Sequence, residues 1–126
     1  MPDESFRPTV YLLDGCPFCF KVRLFLLESG LQDAVEIKVF PHGGNEEARA
    51  RAEVAPHVQK MSFPAARLAP DRYMTESDAI IEALGKPSGA RSGPVLQAYV
   101  EGPFKQMLEI YREHQSLKAR LAELGG

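Results

Sequence analysis

The two cysteines of this chain stand together as Cys16-Pro17-Phe18-Cys19, between two apolar runs. Thr9 to Leu13 is short and β-branched at its start; Phe18 to Leu27 is longer and almost wholly apolar. A buried strand, a turn at Asp14-Gly15 and a helix fit that order. Pro17 falls at the first helical position, where its missing N–H costs nothing. Cys16 is then the N-cap, facing free backbone N–H groups and the positive end of the helix dipole, both of which favour thiolate over thiol. Cys19 lies about a turn further on, on the same side, placed to resolve a mixed disulfide formed at Cys16. The residues point to reversible redox chemistry on sulfur.

Other uses of two cysteines fit less well. A structural pair has no reason to sit at a strand-to-helix turn. Zinc needs two further ligands, and His42, His57 and His114 lack the spacing of a zinc motif, so no metal is expected. Each histidine reads as a surface or loop residue. An iron–sulfur cluster shared between two chains has nothing specific in its favour.

The helix after the motif carries one packed stripe, Val22, Phe25, Leu26 and Ser29, and Gly30 ends it. Val35, Ile37 and Val39 alternate with Glu36 and Lys38, the period of a half-exposed edge strand. Pro41 to Gly44 closes that strand, and Asn45 caps a helix whose first turn carries Glu46 and Glu47; Pro56 stops it. Phe63 to Leu68 and Arg72 to Thr75 read as two short strands joined through Ala69-Pro70-Asp71. Thr75-Glu76-Ser77-Asp78 has a capping-box pattern, opening the helix Ala79 to Leu84, which Gly85 closes.

The predicted order is β-α-β-α-β-β-α over residues 1–85. A Gly- and Pro-rich linker follows at 86–93, then a helical extension at 94–126. In the extension a helix spans Val95 to Val100, Gly102-Pro103 breaks it, and a second runs from about Phe104 to Leu124.

At 126 residues, 44% apolar and 25% charged, the chain is that of an ordinary soluble globular domain. A net charge of −2 gives no electrostatic reason to expect nucleic acid or an anionic membrane as partner. No apolar stretch approaches the ~20 residues of a membrane span. Met1 to Pro8 is short, polar and partly acidic, unlike a signal or transit peptide, so a cytoplasmic protein with reduced thiols is expected.

Three islands in order make the chain resemble the glutaredoxins and the N-terminal domain of glutathione S-transferases, both thioredoxin-fold families. They are Tyr11 to Cys19 with the following helix, Ser62-Phe63-Pro64 before a strand, and Arg72 to Ile80 with its Glu-Ser-x-Ala-Ile pattern. The resemblance spans about Thr9 to Leu84, and the larger, transferase-like glutaredoxins look most similar. It implies a thioredoxin-like α/β fold with a short C-terminal helical extension. It also implies a glutathione site built from Pro17, Phe18, Phe63, Pro64, Glu76 and Ser77. Pro64 would be a cis-proline facing Cys16, and Phe63 would offer its backbone to glutathione as an added strand does. Glu76 and Ser77 would bind the γ-glutamyl end, Ser77 through the first turn of its helix.

There are two departures. Many glutaredoxins carry Lys three residues before the first cysteine; here that position is Leu13, and Asp14 follows. A carboxylate there would raise the thiol pKa, with Lys60 and Arg67 the candidates for a replacement charge. Second, about 33 residues follow the linker, enough for two helices and too few to build a transferase's electrophile pocket from one chain. Their apolar stripe needs a cover, either the chain's own sheet or a second copy, which suggests a homodimer.

The expected activity is a glutathione-dependent thiol–disulfide oxidoreductase, with Cys16 as nucleophile, Cys19 as resolving thiol and glutathione as cosubstrate. Its substrates would be disulfide-containing or glutathionylated proteins. The rivals are a minimal transferase that binds or conjugates electrophiles, and a non-catalytic glutathione-binding, redox-sensing module.

Overall fold

The structure, a computed structural model, describes residues 6–89 and 93–125. Thr9–Leu13 forms β1 and Pro17–Ser29 forms α1, with Cys16 at the N-cap and Pro17 in the first turn. Gly30 stops α1 at φ 77, a left-handed conformation that suits a residue without Cβ. A 3₁₀ turn, Leu31–Asp33, leads into β2 (Glu36–Phe40). Then come α2 (Asn45–Val54), β3 (Ala65–Ala69), β4 (Arg72–Thr75) and α3 (Ser77–Gly85). The order is the one predicted, and the fold is thioredoxin-like.

The sheet runs β2-β1-β3-β4. β1 pairs parallel with β2, while β3 pairs antiparallel with both β1 and β4. Val10 and Leu12 are fully buried in the core with Val22, Phe25 and Leu26 of α1 and Ile80 of α3. Tyr11 points the other way, towards α2, where its hydroxyl donates to Glu53; the Tyr73 hydroxyl of β4 donates to the same carboxylate oxygen at 2.9 Å. One acid thus ties two strands to α2.

Several local details differ from expectation. β2 is the edge strand, as expected, but its apolar side is only partly covered, which leaves Ile37 and Val39 36% and 37% exposed. Gly44, not Asn45, caps α2, and Glu47 in its first turn reaches back to accept from the Gly43 N–H at 2.7 Å. That bond, with the Arg51 guanidinium, holds the Glu47 carboxyl low. Thr75 does not cap α3, since its place in the ladder opposite Ala65 keeps it in β4; the cap is Glu76. Gly85 is the last residue of α3, as expected. The chain runs on through a 3₁₀ turn, Lys86–Ser88, and the left-handed stop comes at Gly89, φ 72.

Residues 90–92 of the predicted linker lie outside the described residues. Beyond it, α4 (Pro94–Tyr99) and α5 (Lys105–Gly125) are joined by a π-helical turn, Val100–Phe104. Gly102-Pro103 therefore does not break the helix; the wider turn absorbs the proline, which has no N–H to give. The turn delivers Phe104 into the core, where its ring meets Phe18 edge-on at 5.2 Å. The start of α4 is fastened by Glu28 of α1. Its carboxylate accepts from the N–H of Val95 (2.8 Å) and Leu96 (3.0 Å), capping a helix 67 residues away in sequence. Gly93 is needed for this, because a Cβ there would collide with the Glu28 carboxylate. The tail is thereby held against the helix that carries the cysteines.

Candidate functional site

Strand register brings three separated segments to one end of the sheet. β1 ends at Leu13 and turns through Gly15 (φ 81) into Cys16. Tyr11 lies opposite Ala65, so Pro64 and Phe63 run alongside the last residues of β1. Ala65 also lies opposite Thr75, which puts Glu76 and Ser77 at the same end. All eight residues singled out from the sequence gather around this edge. The Phe63–Pro64 peptide bond is cis.

Cys16 is half-buried and Cys19 is 1% exposed; both are free thiols. The Leu13 N–H donates to Cys19 Sγ at 3.3 Å, fixing that sulfur beneath the strand. Cys16 closes no side-chain cap bond, yet its pKa is lowered to about 6. The largest cause is the hydrogen bond from the Cys19 thiol, with further help from the N–H groups of Cys19 and Phe18; burial opposes them. Cys19 is driven the opposite way, well above the ordinary thiol range, by donating to Cys16 and by burial. One proton is thus shared unequally, leaving a half-buried anion beside a buried donor.

Asp14 is not among the causes that shift Cys16, so the predicted penalty from its carboxylate does not arise. Neither Lys60 nor Arg67 supplies a compensating charge. Arg67 lies opposite Thr9, towards the far end of β1, and spends its guanidinium on the Pro70 carbonyl at 2.6 Å. The helix terminus and Cys19 do the work expected of a lysine.

Glu76 has φ 80 and ψ 120, a region costly for any residue with a Cβ. This conformation turns the chain from β4 into α3 so that buried Ser77 opens the helix at the sheet end. Glu76→Gly is therefore expected to raise stability by about 1 kcal/mol, after glycine's own entropy cost. Thermal unfolding would show a midpoint a few degrees higher; a lower midpoint would mean the conformation carries no strain.

Three features had no clear signal in the sequence. Tyr99 of α4 donates its hydroxyl to the Pro17 carbonyl at 2.9 Å, and burial followed by the Cys16 charge raises its pKa. Phe20, 5.1 Å from the Tyr99 ring, and Arg23 complete the wall of a cavity of about 360 Å³ that opens beside Cys16. Lys21, buried behind the motif, pairs with Asp78 at 2.5 Å and lies 4.9 Å from the centre of the Phe104 ring. Arg23 follows Cys16 by seven residues on one helical face, a spacing that shows they can share a wall. Nothing local marks Tyr99 or Lys21. Among the described residues no three His, Cys, Asp or Glu gather as a metal-binding group. No helix there is long and apolar enough to cross a membrane.

A dithiol at a helix start, beside a cis-proline and a second helix terminus, defines a thioredoxin-fold thiol site. The family model for the glutathione S-transferase N-terminal domain matches residues 15–86, more than half of the chain. The chain belongs to that family. Among solved structures it is similar to glutathione transferase Omega 2C from Trametes versicolor, with 24% identity and a TM-score of 0.50, covering 73% of this chain and 44% of that one. It is also similar to a glutathione S-transferase from the Antarctic clam Laternula elliptica, with 22% identity and a TM-score of 0.50, covering 85% of this chain and 47% of that one. These likenesses show the fold, and the chain spans less than half the length of either protein. No curated protein matches it.

Proposed function

We propose that this chain is a glutathione-dependent thiol–disulfide oxidoreductase of the glutaredoxin type. The observation that carries the reading is the division of labour between the cysteines: Cys16 half-exposed with a pKa of about 6, and Cys19 buried and protonated beneath it. Cys16 thiolate attacks the glutathione sulfur of a glutathionylated protein, forming a Cys16–glutathione disulfide and releasing the protein thiolate. A second glutathione thiolate then attacks the glutathione sulfur, giving oxidised glutathione and restoring Cys16. Alternatively, Cys19 attacks Cys16 Sγ, expels glutathione and leaves a Cys16–Cys19 disulfide that two glutathiones reduce.

In this reading Phe63 and Pro64 align the cysteinyl part of glutathione, and Glu76 and Ser77 hold its γ-glutamyl end. Pro17 and Phe18 shape the floor. Residues 1–85 are the glutathione-binding unit, 86–93 the connection and 94–126 a helical extension. The protein works in the reducing cytoplasm on disulfide-containing or glutathionylated proteins.

One observation favours a second reading. Tyr99, from the extension, roofs the cavity at Cys16, so the tail of a single chain contributes to a place for an electrophile. A coupled assay separates the two readings: reduction of a small glutathione mixed disulfide, followed through glutathione reductase, against conjugation of a haloaromatic. The proposal expects the first and little of the second. Conjugation without reduction supports the transferase reading, and glutathione binding with neither activity leaves a binding module.

A further inference from the structure

The cavity beside Cys16 is not part of the glutathione site read above: none of Phe63, Pro64, Glu76 and Ser77 lines it. Its walls are the turn after β1, the first turns of α1 and Tyr99 of α4. Cys16, Phe20 and Arg23 stand four and then three residues apart, so they rise along one face of α1. The Arg23 backbone is about 10 Å beyond Cys16 along the helix axis. Helical side chains lean back towards the N-terminus, which brings the guanidinium over the turn that carries Phe20. Between sulfur and guanidinium lie the rings of Phe20, 47% exposed, and Tyr99, half-buried. Among the described residues no hydrogen bond, ion pair or aromatic ring engages the Arg23 guanidinium. Nor is Arg23 among the causes that shift Cys16, so its charge does not act on the thiolate. The other charged side chain of the lining is Asp14, on the turn. The wall thus runs from an acid, past the nucleophile and two aromatic rings, to an uncommitted cation.

We propose that Arg23 determines which disulfides this site accepts: it selects a protein segment with an aromatic or apolar residue and an acidic one beside the attacked cysteine. The proposal rests on the oxidoreductase reading above. A cavity of about 360 Å³ is near the small end of ligand sites, with room for the side chains that flank one cysteine. Cys16 thiolate attacks one sulfur of the protein disulfide; the new Cys16–sulfur bond forms and the other sulfur leaves as thiolate. The attacked segment then lies over Phe20 and Tyr99 with its carboxylate at Arg23. A guanidinium suits this place, since it pairs a carboxylate through two parallel hydrogen bonds and stacks on aromatic faces. Cys19, on losing its proton, attacks Cys16 Sγ and expels the segment as a thiolate, leaving the Cys16–Cys19 disulfide for glutathione to reduce. Asp14 repels an acid on the opposite side of the cysteine, so the two charges also set the direction in which the segment lies.

Stopped-flow labelling of the full chain tests this without turnover. Dithiobis(nitrobenzoate) and dithiodipyridine are both aryl disulfides that release a coloured product; only the first carries a carboxylate on its ring. The ratio of their rates, anionic over neutral, cancels any change in the thiolate itself. In Arg23→Glu that ratio should fall by about fivefold or more. Arg23→Lys should keep most of it. Lys86→Glu, the same change of charge just past the far end of α3, should leave it unchanged. The parent chain should also reduce a peptide disulfide with phenylalanine and glutamate beside its cysteine faster than one with phenylalanine and lysine. Arg23→Glu should reverse that order. A reagent ratio unmoved in Arg23→Glu, or moved equally by Lys86→Glu, overturns the proposal, and so does equal reduction of the two peptides. A chain that keeps the reagent preference but reduces neither peptide overturns the oxidoreductase reading instead, and the charge selection by Arg23 stands.

Discussion

Cys16→Ser is expected to lower turnover of a glutathione mixed disulfide by on the order of a thousandfold or more, because a serine hydroxyl at neutral pH supplies no comparable anion. Cys19→Ser should keep a substantial part of that activity, since glutathione from solution can clear the Cys16 mixed disulfide. It should lose most of its activity on intramolecular protein disulfides, where Cys19 must complete the exchange. Cys19→Ala separates a second role. The hydrogen bond from Cys19 is the largest cause of the lowered Cys16 pKa, so its removal should raise that pKa. Iodoacetamide reports this directly, because the buried Cys19 is shielded. In the parent chain the alkylation rate should climb with pH through a midpoint near 6 and level off. In Cys19→Ala the midpoint should move upward, slowing alkylation at pH 7. The same shift appears in stability. A thiol with a depressed folded-state pKa contributes stabilisation that is full above its ordinary pKa and lost as pH falls through about 6. Cys16→Ser should abolish that pH-dependent part. An unmoved midpoint in Cys19→Ala would mean that the helix terminus alone activates Cys16.

The features legible in the sequence were those decided by neighbouring residues. Thr9–Leu13 reads as a buried strand from its side chains alone, and Pro17 and Gly30 mark the ends of α1 by what their own backbones allow. The site residues were found because they lie in short motifs, and strand register then explains why motifs 45 to 60 positions apart share one sheet edge. Misreadings arose where a distant partner outweighed a local preference. Thr75 has the chemistry of a cap, but pairing with Ala65 keeps it in β4 and passes the cap to Glu76 in a strained conformation. Pro103 should end a helix, but burial of Phe104 against Phe18 holds the chain in a π turn instead.

The activation of Cys16 shows the same division. Its place at a helix start was readable as favouring thiolate, and Leu13-Asp14 as a carboxylate penalty on that thiolate. What relieves it is the placement of Cys19, 1% exposed, with the Leu13 backbone N–H bonded to its sulfur. That orientation depends on how α1 docks on β1. Glu28 is similar: no pattern within α1 shows that its carboxylate will cap a helix beyond the linker.

Lys21 offers the sharpest energetic consequence of such non-local contacts. Its side chain is 8% exposed between α1, α3 and the tail, whereas that of its counter-ion Asp78 is 90% exposed. The two halves of the pair should therefore not cost the same. In Asp78→Ala the ammonium keeps its buried place and loses its carboxylate, retaining the face of Phe104 4.9 Å from its nitrogen. Stranding that charge should cost about 1–3 kcal/mol. In Lys21→Met the carboxylate simply remains in water, and the thioether fills the space of the lysine stem against an aromatic ring, so the loss should stay below about 1 kcal/mol. The double variant should be close to Lys21→Met alone, because the penalty in Asp78→Ala belongs to the lysine and vanishes with it. Urea or thermal denaturation of the three variants at one pH measures the cycle. Equal costs for the two single variants, or strict additivity in the double, would mean that water reaches the ammonium and that the pair is an ordinary surface contact. The expected asymmetry would instead identify Lys21–Asp78 as the clasp where α3, immediately beside Ser77, is joined to the cysteine helix and to Phe104 of the tail.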